Sequence, residues 1–122
     1  PHTDPNWMLL LIDSDRNSAT GWFGYDYLIN KNVIDGHTTQ LLRYDPEKKQ
    51  WLPAGKLTYA VQGNKMELAV PLKSMGLNRK AFTFDFKWSD NPAELNDPLS
   101  FCTDGDTAPN RRFNYRCIWK NN

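Results

Sequence analysis

The sequence predicts an all-β fold, a jelly-roll-like antiparallel β-sandwich of about eight or nine short strands. Three observations predict it. Aromatic side chains make up 13% of the 122 residues and β-branched residues are common, a mix suited to pleated, half-buried surfaces. Several short runs alternate apolar and polar residues with period two. Gly, Pro, Asn and Asp punctuate those runs along the whole chain instead of gathering in one linker. No internal repeat is visible, so residues 1–122 are expected to form a single domain. A chain of this size can bury roughly two thirds of its unfolded surface in one core.

The elements follow in order. The run Trp7 to Ile12 is apolar throughout and predicts a central strand covered on both faces. Asp13 to Gly21 is a polar loop. Tyr25 to Asn30 is the next strand, followed by a turn that ends at Asp35-Gly36. Thr38 to Tyr44 and Gln50 to Leu52 make a hairpin around the solvated turn Asp45 to Lys49. Leu57 to Gln62 and Lys65 to Val70 flank Gly63-Asn64, a second hairpin signal. Pro71 to Leu77 predicts one helical turn, opened by Pro71 and closed by Gly76. Phe82, Phe84, Phe86 and Trp88 alternate with Thr83, Asp85 and Lys87, a period-two strand. A polar stretch with Pro92 and Pro98 follows. Leu99 to Thr103 and Arg112 to Trp119 close the chain as two strands around the loop Asp104 to Arg111.

Charge and hydropathy exclude some functions. The net charge is +1, and no dense Lys/Arg stripe marks a nucleic-acid footprint. No apolar run approaches the ~20 residues of a membrane span. There is no signal peptide, and the chain opens at Pro1, as expected of a processed or excised piece. Cys102 and Cys117 flank a turn-rich stretch. Two readings stand: a bridge closing a ~15-residue loop, worth ~3 kcal/mol, or two buried free thiols.

Four constellations can carry chemistry. In Asp13-Ser14-Asp15-Arg16-Asn17 the oxygen-bearing side chains alternate, with the spacing of the first three ligands of a calcium loop. Ca²⁺ takes six to eight hard oxygens at ~2.3–2.6 Å. Arg16 at the fourth place and the missing Gly and Glu depart from an EF-hand. The competing reading is an Asp-rich turn that caps strand ends through its own backbone. In Thr20-Gly21-Trp22-Phe23-Gly24-Tyr25-Asp26-Tyr27, rings beside glycines can offer flat faces and polar edges to a sugar, or else plug the end of the sandwich. Asp26 there can ligate metal or tie down the loop. In Lys87-Trp88-Ser89-Asp90-Asn91, Trp88 suits a binding rim, but its parity favours continuing the inward Phe82-Phe84-Phe86 face. Thr103 to Tyr115 carries Asp104, Asp106, Arg111 and Arg112. It reads as a sugar-binding loop or as a hairpin loop with surface Asp–Arg pairs.

Signals for catalysis are thin. His2 and His37 fall in loops, no His-Glu-x-x-His occurs, and no Gly-x-Ser-x-Gly elbow is present. A glycosidase needs two converging carboxylates, and nothing in the spacing singles out such a pair. The domain is expected not to be an enzyme itself.

The order of these pieces resembles the family 9-like carbohydrate-binding modules. The resemblance lies in the apolar strand from Trp7 with Ile12-Asp13-Ser14-Asp15, and in Thr20-Gly21-Trp22-Phe23-Gly24-Tyr25-Asp26-Tyr27-Leu28-Ile29-Asn30. It continues in Asn64 to Leu72 with Met75-Gly76-Leu77, in Phe84 to Asn91, and in Gly105 to Pro109 through Arg112 to Tyr115. It spans Pro5 to about Trp119. It implies a sandwich related to the heme- and sugar-binding DOMON domains, appended to a larger secreted, periplasmic or cell-surface protein such as a glycoside hydrolase. It also implies structural Ca²⁺ at Asp13, Asp15 and Asn17 with Asp26 nearby. Domains of this type carry strands upstream of the one at Trp7, so the chain is expected to be a fragment or C-terminal module. Carbohydrate binding is expected at Trp22, Tyr25, Trp88, Asn91 and Arg112, although the paired-Trp clamp of sugar-binding members is not evident. Heme needs axial Met or His ligands, and Met8, Met66 and Met75 fit core or hinge positions better. The expected partners are a glycan and a neighbouring domain of the same polypeptide. The alternative is a structural or interaction domain of a secreted hydrolase with no sugar binding of its own.

Overall fold

The computed structural model describes residues 8–63, 65–90, 92, 106–109 and 114–120. Among these the fold is all-β and antiparallel, as the sequence predicts. Eight strands belong to one hydrogen-bonded sheet curled into a half-barrel, a sandwich-like arrangement. They are β1 (Leu9–Asp13), β2 (Tyr27–Val33), β3 (Thr38–Asp45), β4 (Gln50–Gln62), β5 (Lys65–Ala69), β6 (Ala81–Asp90), β7 (Asp106–Ala108) and β8 (Tyr115–Lys120). The ladder runs β5-β4-β3-β2-β1-β6-β7, and β8 also pairs with β6.

β1 lies between β2 and β6, which explains its unbroken apolar run. Its residues pair with Tyr27–Ile29 on one side and Asp85–Ser89 on the other. All five are buried, because both faces of the sheet are covered here. Leu9 and Leu11 point to one face, where they meet Trp22, Tyr25, Leu28 and Leu42. Leu10 and Ile12 point to the other, with Tyr27, Ile29, Leu41 and Leu57. We call these the loop face and the groove face.

The 13-residue β4 joins two runs that the sequence shows as separate strands. Leu41 pairs with Gly55 but Leu42 pairs with Pro53. Ala54 is therefore an extra residue, a β-bulge that shifts the side-chain phase by one. Trp51 consequently packs on the loop face, while Leu57 packs on the groove face.

The helical turn expected at Pro71–Leu77 is a 3-10 helix, η1 (Leu72–Met75). It is closed by Gly76 at φ 68 with its N–H on the Leu72 and Lys73 carbonyls. Met75 is buried and caps one end of the groove face. β6 carries Phe82, Phe84, Phe86 and Trp88 on that face. Trp88 is half-buried among them, in line with its parity. β7 falls inside a stretch read as loop. The expected strand Leu99 to Thr103, like Trp7, Asn64 and Cys102, lies outside the described residues. Cys117 on β8 is a free thiol. No helix among the described residues is long and apolar enough to cross a membrane.

Candidate functional site

The chain leaves β1 at Asp13 and returns to the sheet at Asp26, whose N–H donates to the Ile12 carbonyl at 2.8 Å. This closes the intervening loop at its base. Within the loop, Trp22 and Tyr25 exchange backbone hydrogen bonds of 2.7 and 3.0 Å. Between them Phe23 and Gly24 both take positive φ, 51 and 97, as the primed two-residue hairpin turns require. Gly21 has φ 67, and a Cβ there would overlap the Tyr25 carbonyl and sit 2.8 Å from Asp26 Oδ1. Only glycine fits.

The loop closure brings three carboxylates together. One oxygen from each of Asp13, Asp15 and Asp26 lies within 4.8 Å of the others. Asp26 Oδ2 accepts from the Ser14 N–H at 2.9 Å and the Ser14 hydroxyl at 3.2 Å. Asp15 accepts from the Thr20 hydroxyl at 2.9 and 2.7 Å. Asp13 and Asp15 both accept from the Asn17 N–H, at 3.2 and 3.1 Å. The Asn17 side chain is engaged within its own turn. Its Oδ1 accepts from the Ala19 N–H at 2.9 Å, a local turn bond that turns the amide oxygen to its own backbone.

The electrostatics follow from this crowding. Asp13 is raised from 3.8 to about 7, first by burial, then by a hydrogen bond shared with Asp15 and the charges of Asp26 and Asp15. Asp26 is also raised, by burial and by the Asp15 charge, against its bonds from Ser14. Asp15 is desolvated too, but the Thr20 hydroxyl and the bonds from Asp13 and Asn17 outweigh that and lower it. The Arg116 guanidinium, whose field reaches Asp13, is itself bound to Asp85 at 2.8 and 3.1 Å. Three acidic groups thus lie close together, Asp13 buried, Asp26 half-buried and Asp15 exposed. Oxygens each ~2.3–2.6 Å from a common cation stand up to ~5 Å apart, so this spacing fits a hard divalent ion.

Of the expected sugar-binding residues, the described ones, Trp22, Tyr25 and Trp88, do not gather on one face. Trp22 and Tyr25 are only 8% and 9% exposed and pack on the loop face. There Trp22 meets Trp51 edge-on at 6.0 Å and the Tyr25 hydroxyl donates to Asn114 Oδ1 at 2.7 Å. Trp88 lies on the opposite face of the sheet. Asn91 and Arg112 lie outside the described residues.

Besides Phe23 in the loop itself, 66% exposed, two exposed rings stand on β8. Tyr115 and Trp119 are 48% and 54% exposed, and both point to the groove face through their pairing with Phe86 and Phe82. Trp119 stacks on Phe82 at 6.5 Å and 18°, and Tyr115 tilts over Phe86 at 5.6 Å. Sequence reasoning missed both as site residues. The available signal was the same period-two alternation that marks β6, carried by Tyr115, Cys117 and Trp119.

Beside these rings runs an apolar groove of about 340 Å³, bordered by β1, β5, η1, β6 and β8. No family model matches the chain, and neither a curated protein nor a solved structure matches it.

Proposed function

We propose that this chain is a non-catalytic carbohydrate-binding accessory module of a secreted or cell-surface protein, with a Ca²⁺-stabilised loop. The observation that carries the reading is the pair of exposed rings on one face of β8, Trp119 stacked with its cross-strand neighbour Phe82 and Tyr115 tilted against Phe86. A sugar presents a C–H face to such a ring and its hydroxyls to the polar edge. Trp22 and Tyr25, which the sequence suggested for this task, serve the fold instead.

Asp13, Asp15 and Asp26 would hold the cation, with Asp15 opening the site to solvent. Bound there, Ca²⁺ supplies the positive charge that the three carboxylates lack. It would lock the base of the loop that carries Trp22 and Tyr25 into the loop-face core.

The test is titration with a panel of plant and host glycans, monitored calorimetrically, on the parent chain and on Trp119→Ala. A saturable response weakened about tenfold or more in the variant supports the reading. A flat response to every glycan refutes it. The burial of Trp22 favours a second reading, a structural domain with no sugar binding. That reading predicts the flat response together with a Ca²⁺-dependent rise in melting temperature.

A further inference from the structure

We propose that the groove between η1 and β6 is a binding site for a single-chain anionic amphiphile, a fatty-acid-like carboxylate with its tail along β6. The inference does not rest on the glycan reading, which concerns the outer rings of β8.

Two hollows meet here. The first, of about 340 Å³, is lined by apolar side chains, Phe82, Phe84 and Phe86 along its length and Leu72 and Met75 at one end. Its volume falls at the small end of the ~300–1,000 Å³ typical of small-molecule sites. Among its described lining residues none is charged, and the Trp88 indole N–H and Cys117 thiol are the few polar side-chain groups, so the described lining suits an apolar body. An aliphatic chain needs no partner and gains about 0.8 kcal/mol for each methylene removed from water.

The second hollow adjoins the first across Leu72, which lines both. Its wall holds Lys73 and Arg79, both exposed. No acidic side chain is among the described residues of either hollow. An apolar trough with two cations in the hollow on the other side of Leu72 is complementary to an apolar tail ending in an anion. Guanidinium and carboxylate match as a bidentate pair.

The experiment uses the full 122-residue chain and calorimetric titration below micellar concentrations. The probes are dodecanoate, decanoate, dodecanol and dodecyltrimethylammonium, with anionic phosphatidylglycerol vesicles as a separate arm. Dodecanoate should bind at a single site. Decanoate should bind about tenfold more weakly, for the loss of two methylenes. Dodecyltrimethylammonium should bind worst. A double variant, Lys73→Glu with Arg79→Glu, should weaken dodecanoate about fivefold while leaving dodecanol unchanged. Both positions are exposed, so the fold should survive. Cys117→Phe, which fills the groove from β8, should abolish binding of every tail. No dodecanoate binding, equal binding of all three head groups, or binding to vesicles alone would each overturn the proposal.

Discussion

The sharpest prediction concerns Asp13→Asn, whose effect on stability should change sign with calcium. In the folded chain Asp13 titrates at about 7, against an ordinary 3.8. Its folded value lies above its unfolded value, so the folded state holds an extra proton between the two. The contribution is present in full below 3.8 and is lost as pH rises through about 7. The gap is about three pH units, each worth about 1.4 kcal/mol, so the upper bound on the penalty above neutrality is about 4 kcal/mol. Local relaxation and water at the exposed Asp15 reduce this to an expected ~2 kcal/mol. Asparagine keeps the shape and the acceptor for the Asn17 N–H but cannot ionise. In chelator at about pH 8 the variant should therefore be more stable than the parent by ~2 kcal/mol, and the gain should shrink as pH falls below about 7 and vanish below 3.8. In saturating Ca²⁺ the order should reverse. The parent gains ~2.7 kcal/mol at a hundredfold excess over its dissociation constant, and the variant, lacking one charged ligand, gains less. The assay is urea unfolding followed by tryptophan fluorescence, which reports the buried Trp22. If the variant in chelator at about pH 8 is no more stable than the parent, the carboxylate-crowding argument is wrong.

Other outcomes follow from the packing. Gly21→Ala should cost about 2–4 kcal/mol, since it combines a left-handed φ with overlap on the Tyr25 carbonyl, and should show as a lower melting temperature. Leu11→Ala, at a fully buried position of the central strand, should cost about 2–5 kcal/mol in denaturant unfolding. Ser89→Ala should be neutral or stabilising by about 1 kcal/mol. The Ser89 hydroxyl is fully buried with no hydrogen-bond partner among the described residues, so its removal leaves none of them unsatisfied. A destabilisation as large as that of Leu11→Ala would mean the hydroxyl has a partner after all.

Much of the fold was legible because period and burial agree locally. The unbroken run in β1 announced a strand covered twice, and the Phe-x-Phe-x-Phe-x-Trp alternation announced one ring-bearing face. Pro71 and Gly76 bracketed η1 by their backbone preferences alone. The carboxylate site was partly legible for a similar reason. Asp13 and Asp15 leave the end of one strand two residues apart, and sequence pattern can see that. The side chain of Asn17 belongs to the same pattern but bonds its own turn, a competition between local acceptor and ligand that spacing does not decide. The ring block Trp22–Tyr25 was ambiguous because a buried ring and a presented ring have the same composition. Only the return of Asp26 to Ile12 shows that the block folds inward. β7 and the exposed rings of β8 depend on pairing with β6 across a long separation, which no local window contains.

The extra residue at Ala54 has a consequence beyond the strand that holds it. Trp51 and Leu57 are six positions apart, an even number, and in an uninterrupted strand they would share a face. The bulge makes β4 a strand read in two frames, one for each core. It behaves as a splice: deleting Ala54 alone would bring both halves of β4 into one frame and turn one of them to the wrong core, whereas substituting it leaves both frames intact. Variation in length should therefore be tolerated in the turn Pro46–Lys49 and not at Ala54, although both lie at the surface. The two cores share a sheet but are not independent, because this one strand carries the phase relation between them.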